Sequence, residues 1–128
     1  MLENEALIRD AYDAFVRGDL EAVRSFLDPD ALWHVSGSSP LAGVYKGHDE
    51  LMGLFARIYQ MTEGTFTISA REILASEDRV IALTTMKATR GDRVLDDDGV
   101  AVFKIAGGKA TEVWNFAENQ AAIDAFFS

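Results

Sequence analysis

The sequence predicts an α+β domain: N-terminal helices packed on a strongly curved, mostly antiparallel sheet that encloses a pocket. Three observations predict it. Apolar residues recur at helical spacing through most of the first half, broken by one short strand-like stretch. After Gly64 the period changes to two, in runs divided by glycine-bearing turns. Those runs reach about ten residues, long enough to bend. A bent sheet with helices on one face does not close at its open end, and a concave pocket is the expected result.

The elements follow in order. From Glu3 to Arg17 the apolar positions Leu7, Ala11, Ala14 and Phe15 form a helical stripe, widened by Ile8 and Tyr12. Gly18 can take the left-handed cap, and Asp19 can cap a second helix through Leu20, Val23 and Leu27. Pro29 stops that helix. Ala31 to Val35 reads as a short strand, with Trp33 and Val35 on one face and Leu32 and His34 on the other. A Gly37-Ser38-Ser39-Pro40 loop follows, then Gly43 to Gly47 leading into a third helix. That helix carries Leu51, Leu54, Phe55 and Ile58 on one side, and Asp49 and Glu50 in its first turn. Phe66, Ile68 and Ala70 then alternate with polar residues until the parity slips to Ile73, which predicts a bulge near Arg71-Glu72. Val80 to Thr89, Val94 to Ile105 and Ala110 to Ala117 read as consecutive hairpin strands, joined at Gly91-Asp92 and Gly107-Gly108. Asn119 to Phe127 reads as a short amphipathic helix.

Bulk properties exclude several function classes. The 128 residues and 48% hydrophobic share suit one domain spanning 1–128 with a real core. No apolar run approaches the roughly 20 residues that span a bilayer. The start, Met-Leu-Glu-Asn-Glu, lacks a signal peptide's basic and apolar regions, and there is no cysteine, so a cytoplasmic location is expected. A net charge of −9 repels phosphate backbones and anionic lipid, so neither nucleic acid nor membrane is an expected partner. His34 and His48 sit on separate elements without a paired ligand spacing, so no metal and no cofactor are expected. Arg90-Gly91-Asp92 is better read as a hairpin turn than as an adhesion motif. Gly107-Gly108-Lys109 lacks the spacing of a phosphate loop.

Two features can carry acid–base chemistry. In Asp96-Asp97-Asp98, strand geometry sets Asp97 on one face and Asp96 and Asp98 on the other. If both faces are covered, at least one carboxylate is buried or lines the pocket, where burial without a partner makes it a usable acid or base. The alternative is a frayed, solvated edge beside Gly99. His34 is the strand histidine and titrates naturally near neutrality, though its parity also fits an outer-face or interface role.

The order of elements, with Arg17-Gly18-Asp19-Leu20, Asp30-Ala31-Leu32-Trp33, Gly43 to Gly47 and Gly108 to Trp114, resembles the NTF2-like superfamily, in particular SnoaL-like and ketosteroid-isomerase-like domains. The resemblance covers nearly the whole chain and implies a cone-shaped fold, a homodimer and an apolar small-molecule partner. It implies pocket walls at Tyr12, Trp33, Val35, Phe55, Tyr59 and Trp114, although the aromatics would serve equally as ordinary core. A steroid-isomerase reaction needs a carboxylate base and oxyanion donors, a Tyr and a neutral Asp. Here the base position falls on Val35, the donor Tyr on Ala11, a supporting Tyr on Phe55, and only Asp98 matches. Asp98 is thus the lead acid or base, with Glu118, where relatives often carry an acid near the pocket mouth, or His34 as helper. Catalysis of an isomerase or cyclase kind on an apolar carbonyl compound competes with a non-catalytic binding or dimeric interaction module.

Overall fold

The computed structural model describes residues 2–128, in the order α1 (Leu2–Val16), α2 (Leu20–Phe26), β1 (Leu27–Val35), β2 (Gly43–Lys46), α3 (Gly47–Met61), β3 (Thr67–Ala75), β4 (Arg79–Arg90), β5 (Arg93–Ala106), β6 (Lys109–Ala117) and α4 (Gln120–Phe127). The turn between α1 and α2 is built as its residues suggest. Gly18 takes φ +73°, Asp19 N–H reaches back to Ala14 O at 2.9 Å, and the Asp19 carboxylate accepts from Ala22 N–H at 3.2 Å. The second helix stops at Phe26, earlier than Pro29 demands, and β1 begins directly at Leu27. Pro29 falls where β1 has no partner on β6, between Leu27 and Leu32, so its missing N–H leaves no ladder bond broken. Gly43–Lys46, expected only as the lead-in to α3, pairs with β1 as the edge strand β2.

His48, expected at the surface, is half-buried and joins three elements. Its Nε2–H donates to Leu27 O at 2.9 Å, and its Nδ1 accepts from Arg24 Nε–H at 3.2 Å. The start of α3 is thereby tied to the junction of α2 and β1.

The six strands run in the order β2-β1-β6-β5-β4-β3. Only β1 and β6 pair in parallel; every other neighbouring pair is antiparallel. The bulge expected in β3 is present: Ala70 pairs with Thr84 and Glu72 with Leu83, which leaves Arg71 unopposed. A second irregularity lies between Lys104 and Ile105 on β5. These breaks bend a sheet whose two longest strands have 12 and 14 residues.

Register divides the side chains into rows across the sheet. On the concave face one row runs Val80, Phe103, Val113, Trp33, Tyr45, and the next Ile73, Ala82, Ala101, Asn115, Val35. Onto this face α1 sets Ile8, Ala11 and Phe15, and α3 sets Leu51, Leu54 and Phe55, all buried. Phe15 meets Phe55 edge-on at 5.1 Å between ring centroids, and Phe55 meets Trp33 at 5.2 Å. The core therefore lies between helices and sheet. It thins toward the end where the small residues Ala70, Thr84, Gly99 and Ala117 line up.

Candidate functional site

Where the core thins, a cavity of about 150 Å³ opens between α1, α3, α4 and the concave face. A volume of this order accommodates one benzene-sized ring. Its inner wall is aromatic: Tyr12 and Phe15 from α1, Phe26 from α2, Trp33 from β1, Phe55 from α3 and Phe103 from β5. Toward the mouth it is bounded by Val35, Ser36, Ser39 and Leu41 on one side and by Gln120, Ile123 and Phe127 on the other.

Polar groups at the wall are few. Ser36 Oγ–H is spent on Asn115 O at 2.6 Å, Asn115 Nδ2 on His34 O at 3.3 Å, and Gln120 Nε2 on Ser36 O at 3.2 Å. Among the described residues, the hydroxyls of two lining residues, Tyr12 and Thr84, make no side-chain hydrogen bond to protein, and neither is fully buried. Tyr12 packs edge-on against Phe103 at 6.0 Å. Burial drives its phenol well above the ordinary tyrosine range, because a phenolate in this apolar setting would be unsolvated. Tyr12 is thus a neutral phenol among the lining residues, and among the described residues no Asp, Glu, His, Lys or Arg side chain lines the wall.

Of the residues expected at the walls, Tyr12, Trp33, Val35 and Phe55 line the cavity. Tyr59 lies behind it, stacked on Phe15 at 5.1 Å, with its hydroxyl donating to Phe15 O. Trp114 is a correction: it pairs with His34 and Val102 on the convex face of the sheet, away from the cavity. Both parities of β6 carry apolar side chains, so alternation alone did not decide which way Trp114 points.

The expected acids also lie elsewhere. Asp98 stands on the convex face, 42% exposed, where it accepts from Thr85 Oγ1–H at 2.8 Å and lies 3.8 Å from Arg71 Nε. It is partnered rather than stranded, and the expectation that it is the pocket acid is corrected. Asp96 is exposed. Asp97 turns to the concave side but accepts from Asn119 N–H at 3.2 Å, anchoring the start of α4. Glu118 is exposed, and its backbone N–H donates to Asp98 O at 2.8 Å. His34 lies on the convex face, its ring parallel to Trp114 at 5.4 Å and its Nε2–H donating to Glu112 Oε2 at 2.7 Å. The structure thus brings no two of Asp98, Glu118 and His34 together at the cavity. Among the described residues no three His, Asp or Glu side chains gather as metal ligands. The residues that sequence reasoning missed are Thr84 and Gln120, whose polar identity in an otherwise apolar period carried too weak a signal.

Comparison with known proteins agrees with this architecture. The profile of the SnoaL-like domain matches residues 8–113. An uncharacterized protein of Mycobacterium tuberculosis is 32% identical over 123 residues, 95% of this chain and 94% of that one. Bal32a, from a soil-derived mobile gene cassette, superimposes with a TM-score of 0.95 at 31% identity, over 98% of this chain and 97% of its own. A Xanthomonas campestris protein of unknown function with a cystatin-like fold gives 0.91 at 27% identity, over 96% of both chains. With helices closed over a bent six-stranded sheet and the profile match running through most of it, the chain belongs to the SnoaL-like domain family of the NTF2-like superfamily.

Proposed function

We propose that this protein binds a neutral, ring-bearing small molecule in the cavity, held by apolar contact and by one hydrogen bond from Tyr12 to a carbonyl or hydroxyl oxygen of the ligand. The observation that carries the reading is the composition of the wall: mainly aromatic and aliphatic, with a few uncharged polar side chains and, among the described residues, a neutral phenol as its one titratable group. Acid–base catalysis needs a proton acceptor within reach of the substrate. The candidates for that role, Asp98, Glu118 and His34, stand outside. The binding-module reading is therefore the better supported of the two.

A buried hydrogen bond contributes about 1 kcal/mol net, or roughly fivefold in affinity. Acetophenone and its hydrocarbon isostere α-methylstyrene separate the two contributions. In calorimetric titration Tyr12→Phe should weaken acetophenone roughly fivefold while leaving α-methylstyrene, whose binding needs no donor, unchanged. An acetophenone affinity unchanged in Tyr12→Phe would remove Tyr12 from the site. Absence of binding by either ligand would remove the cavity itself as a ligand site.

A second observation favours self-association, and we propose a homodimer through the convex face. One row of side chains crosses all six strands there: Leu74, Ile81, Val102, Trp114, His34 and Val44. Leu74 is 53% exposed, Ile81 37% and Val44 59%, an apolar band, interrupted by His34, of the kind that partners cover.

A further inference from the structure

One rim of the cavity is made by two segments far apart in sequence, the loop from Ser36 to Ala42 and the helix α4. The loop presents Ser36, Ser39 and Leu41 to the cavity, and α4 presents Gln120, Ile123 and Phe127. Their junction is polar, in contrast to the apolar interior. The Asp124 carboxylate accepts from Ser38 N–H at 3.0 Å, Ser39 N–H at 3.1 Å and Ser38 Oγ–H at 3.2 Å. It also accepts from Gln120 Nε2 at 3.2 Å, and the same Gln120 nitrogen reaches Ser36 O at 3.2 Å. Gly37 makes this approach possible. Its φ is +98°, and a Cβ there would run into the Gln120 amide and the Asp124 carboxylate. Loop and helix thus meet through one carboxylate and its amide neighbour, with no apolar side chain of Ser36–Ser39 to hold them otherwise.

The rest of α4 is anchored independently. Asn119 N–H is held by Asp97, and the carbonyls of the last turn accept from Arg90 and Arg93, among them Phe126 O from Arg90 Nη1 at 3.1 Å. The helix stays fixed, and the loop's ends are held elsewhere: Ser36 Oγ–H donates to Asn115 O at 2.6 Å, and Leu41 is buried in the core with its O accepting from Tyr45 O–H at 2.7 Å. The Gly37–Ser39 stretch between them depends on Asp124. Among the described residues no charged group faces Asp124 from the loop or from α4, so the interaction consists of hydrogen bonds to an unpaired carboxylate.

We propose that Asp124 is a latch: it holds the Gly37–Ser39 stretch against α4 as a movable rim of the cavity, and release of its hydrogen bonds opens the route by which a ligand enters and leaves. The proposal deepens the reading of the cavity as a ligand site and rests on it, but its test needs no ligand. Trp33 lines the cavity and Trp114 lies on the opposite face, and these are the two tryptophans of the chain. In a Trp114→Phe background, quenching of Trp33 by acrylamide therefore reports on access to the cavity.

Adding Asp124→Asn, which keeps the shape but replaces an acceptor oxygen by a donor, should raise the quenching rate constant roughly fivefold, the weight of one lost hydrogen bond in the opening equilibrium. Hydrogen exchange at the amides of Ser38 and Ser39 should accelerate in parallel while β4 and β5 keep their protection. In a Trp33→Phe background the quenching of Trp114 should not change. Ser38→Ala, which removes one of the bonds, should move Trp33 quenching in the same direction by less. Unchanged Trp33 quenching in folded Asp124→Asn overturns the latch, as does quenching that rises equally for Trp114, which would mark general loosening. If Asp124→Asn does not fold, unchanged quenching in Ser38→Ala overturns it on its own.

Discussion

Tyr12 and Tyr59 are held in the protonated state by burial, Tyr59 with its phenol pushed up to about 12 and Tyr12 beyond it. The sign of the consequence is fixed by linkage. The unfolded chain sheds phenolic protons from about pH 10 while the native state retains them, so stability present below pH 10 is lost as pH rises toward 12. Urea unfolding of wild type and of Tyr59→Phe at pH 8 and at pH 11 should show a steeper alkaline loss in wild type; equal losses would show that the Tyr59 phenol is no more buried than a solvated one. Asp124 has the opposite sign. Partial burial opposes its ionisation, but its hydrogen bonds from Ser38, Gln120 and Ser39 outweigh that and hold the carboxyl below the usual range. Its contribution is therefore intact above the ordinary carboxylate range and is lost only as pH falls below it. Neither assignment was legible in sequence. The helical stripe put Tyr12 on the apolar face of α1 and the family resemblance made it a wall residue, but its lack of a partner depends on what α1 faces across the fold. Asp124 looked like any polar position on a short terminal helix, because its loop partners Ser38 and Ser39 lie 86 and 85 residues away.

Glycine shows how the element decides the effect of one substitution. Gly53 sits in the middle of α3, exposed, with nothing within 4 Å of where a Cβ would stand. Gly53→Ala should stabilise the protein by about 0.5–1 kcal/mol, since alanine restricts the unfolded chain and favours helix. Gly99 lies in β5, buried between β4 and β6, where a Cβ would stand 2.7 Å from Phe116 O and 3.2 Å from Thr84 Oγ1. Backbone cannot yield as a side chain tip does, so Gly99→Ala should cost about 1–3 kcal/mol and lower the urea midpoint. Both variants moving the same way would refute the contrast. At this scale the sequence was most informative. Period, caps and turn glycines marked every helix and five of the six strands, and the parity slip at Ile73 placed the β3 bulge at Arg71-Glu72, where Arg71 is unopposed. The exception, β2, has four residues, too short for any period to declare itself.

At the scale of the molecule, the ambiguity that misplaced Trp114 is itself informative. The alternating strands β4, β5 and β6 are apolar on both faces, which a sheet half-covered by helices has no need of. The convex row from Leu74 to Val44 is the part of that surplus left uncovered. Polar groups beside the row are partnered within the face: His34 with Glu112, Asp98 near Arg71, and the Arg79 guanidinium over the Trp114 ring at 5.8 Å. Glu72, Lys87, Asp96 and Lys104 share the face without an ion pair, so a second copy seated on the row has to leave them at its rim. The cost is long-range, because each chain carries a net charge of −9 and two copies repel. Salt screens that repulsion but leaves the apolar contact in place, so self-association should strengthen as ionic strength rises from about 0.01 to 0.15 M. Leu74→Lys, at the β3 end of the row and 53% accessible, should keep the native circular dichroism. It should weaken the dimer by about tenfold or more, the worth of burying one large apolar side chain. Sedimentation equilibrium decides the matter. A wild-type dimer that tightens with salt and is lost in Leu74→Lys supports the convex interface, whereas a wild-type monomer at every salt concentration, or a dimer indifferent to Leu74→Lys, excludes it.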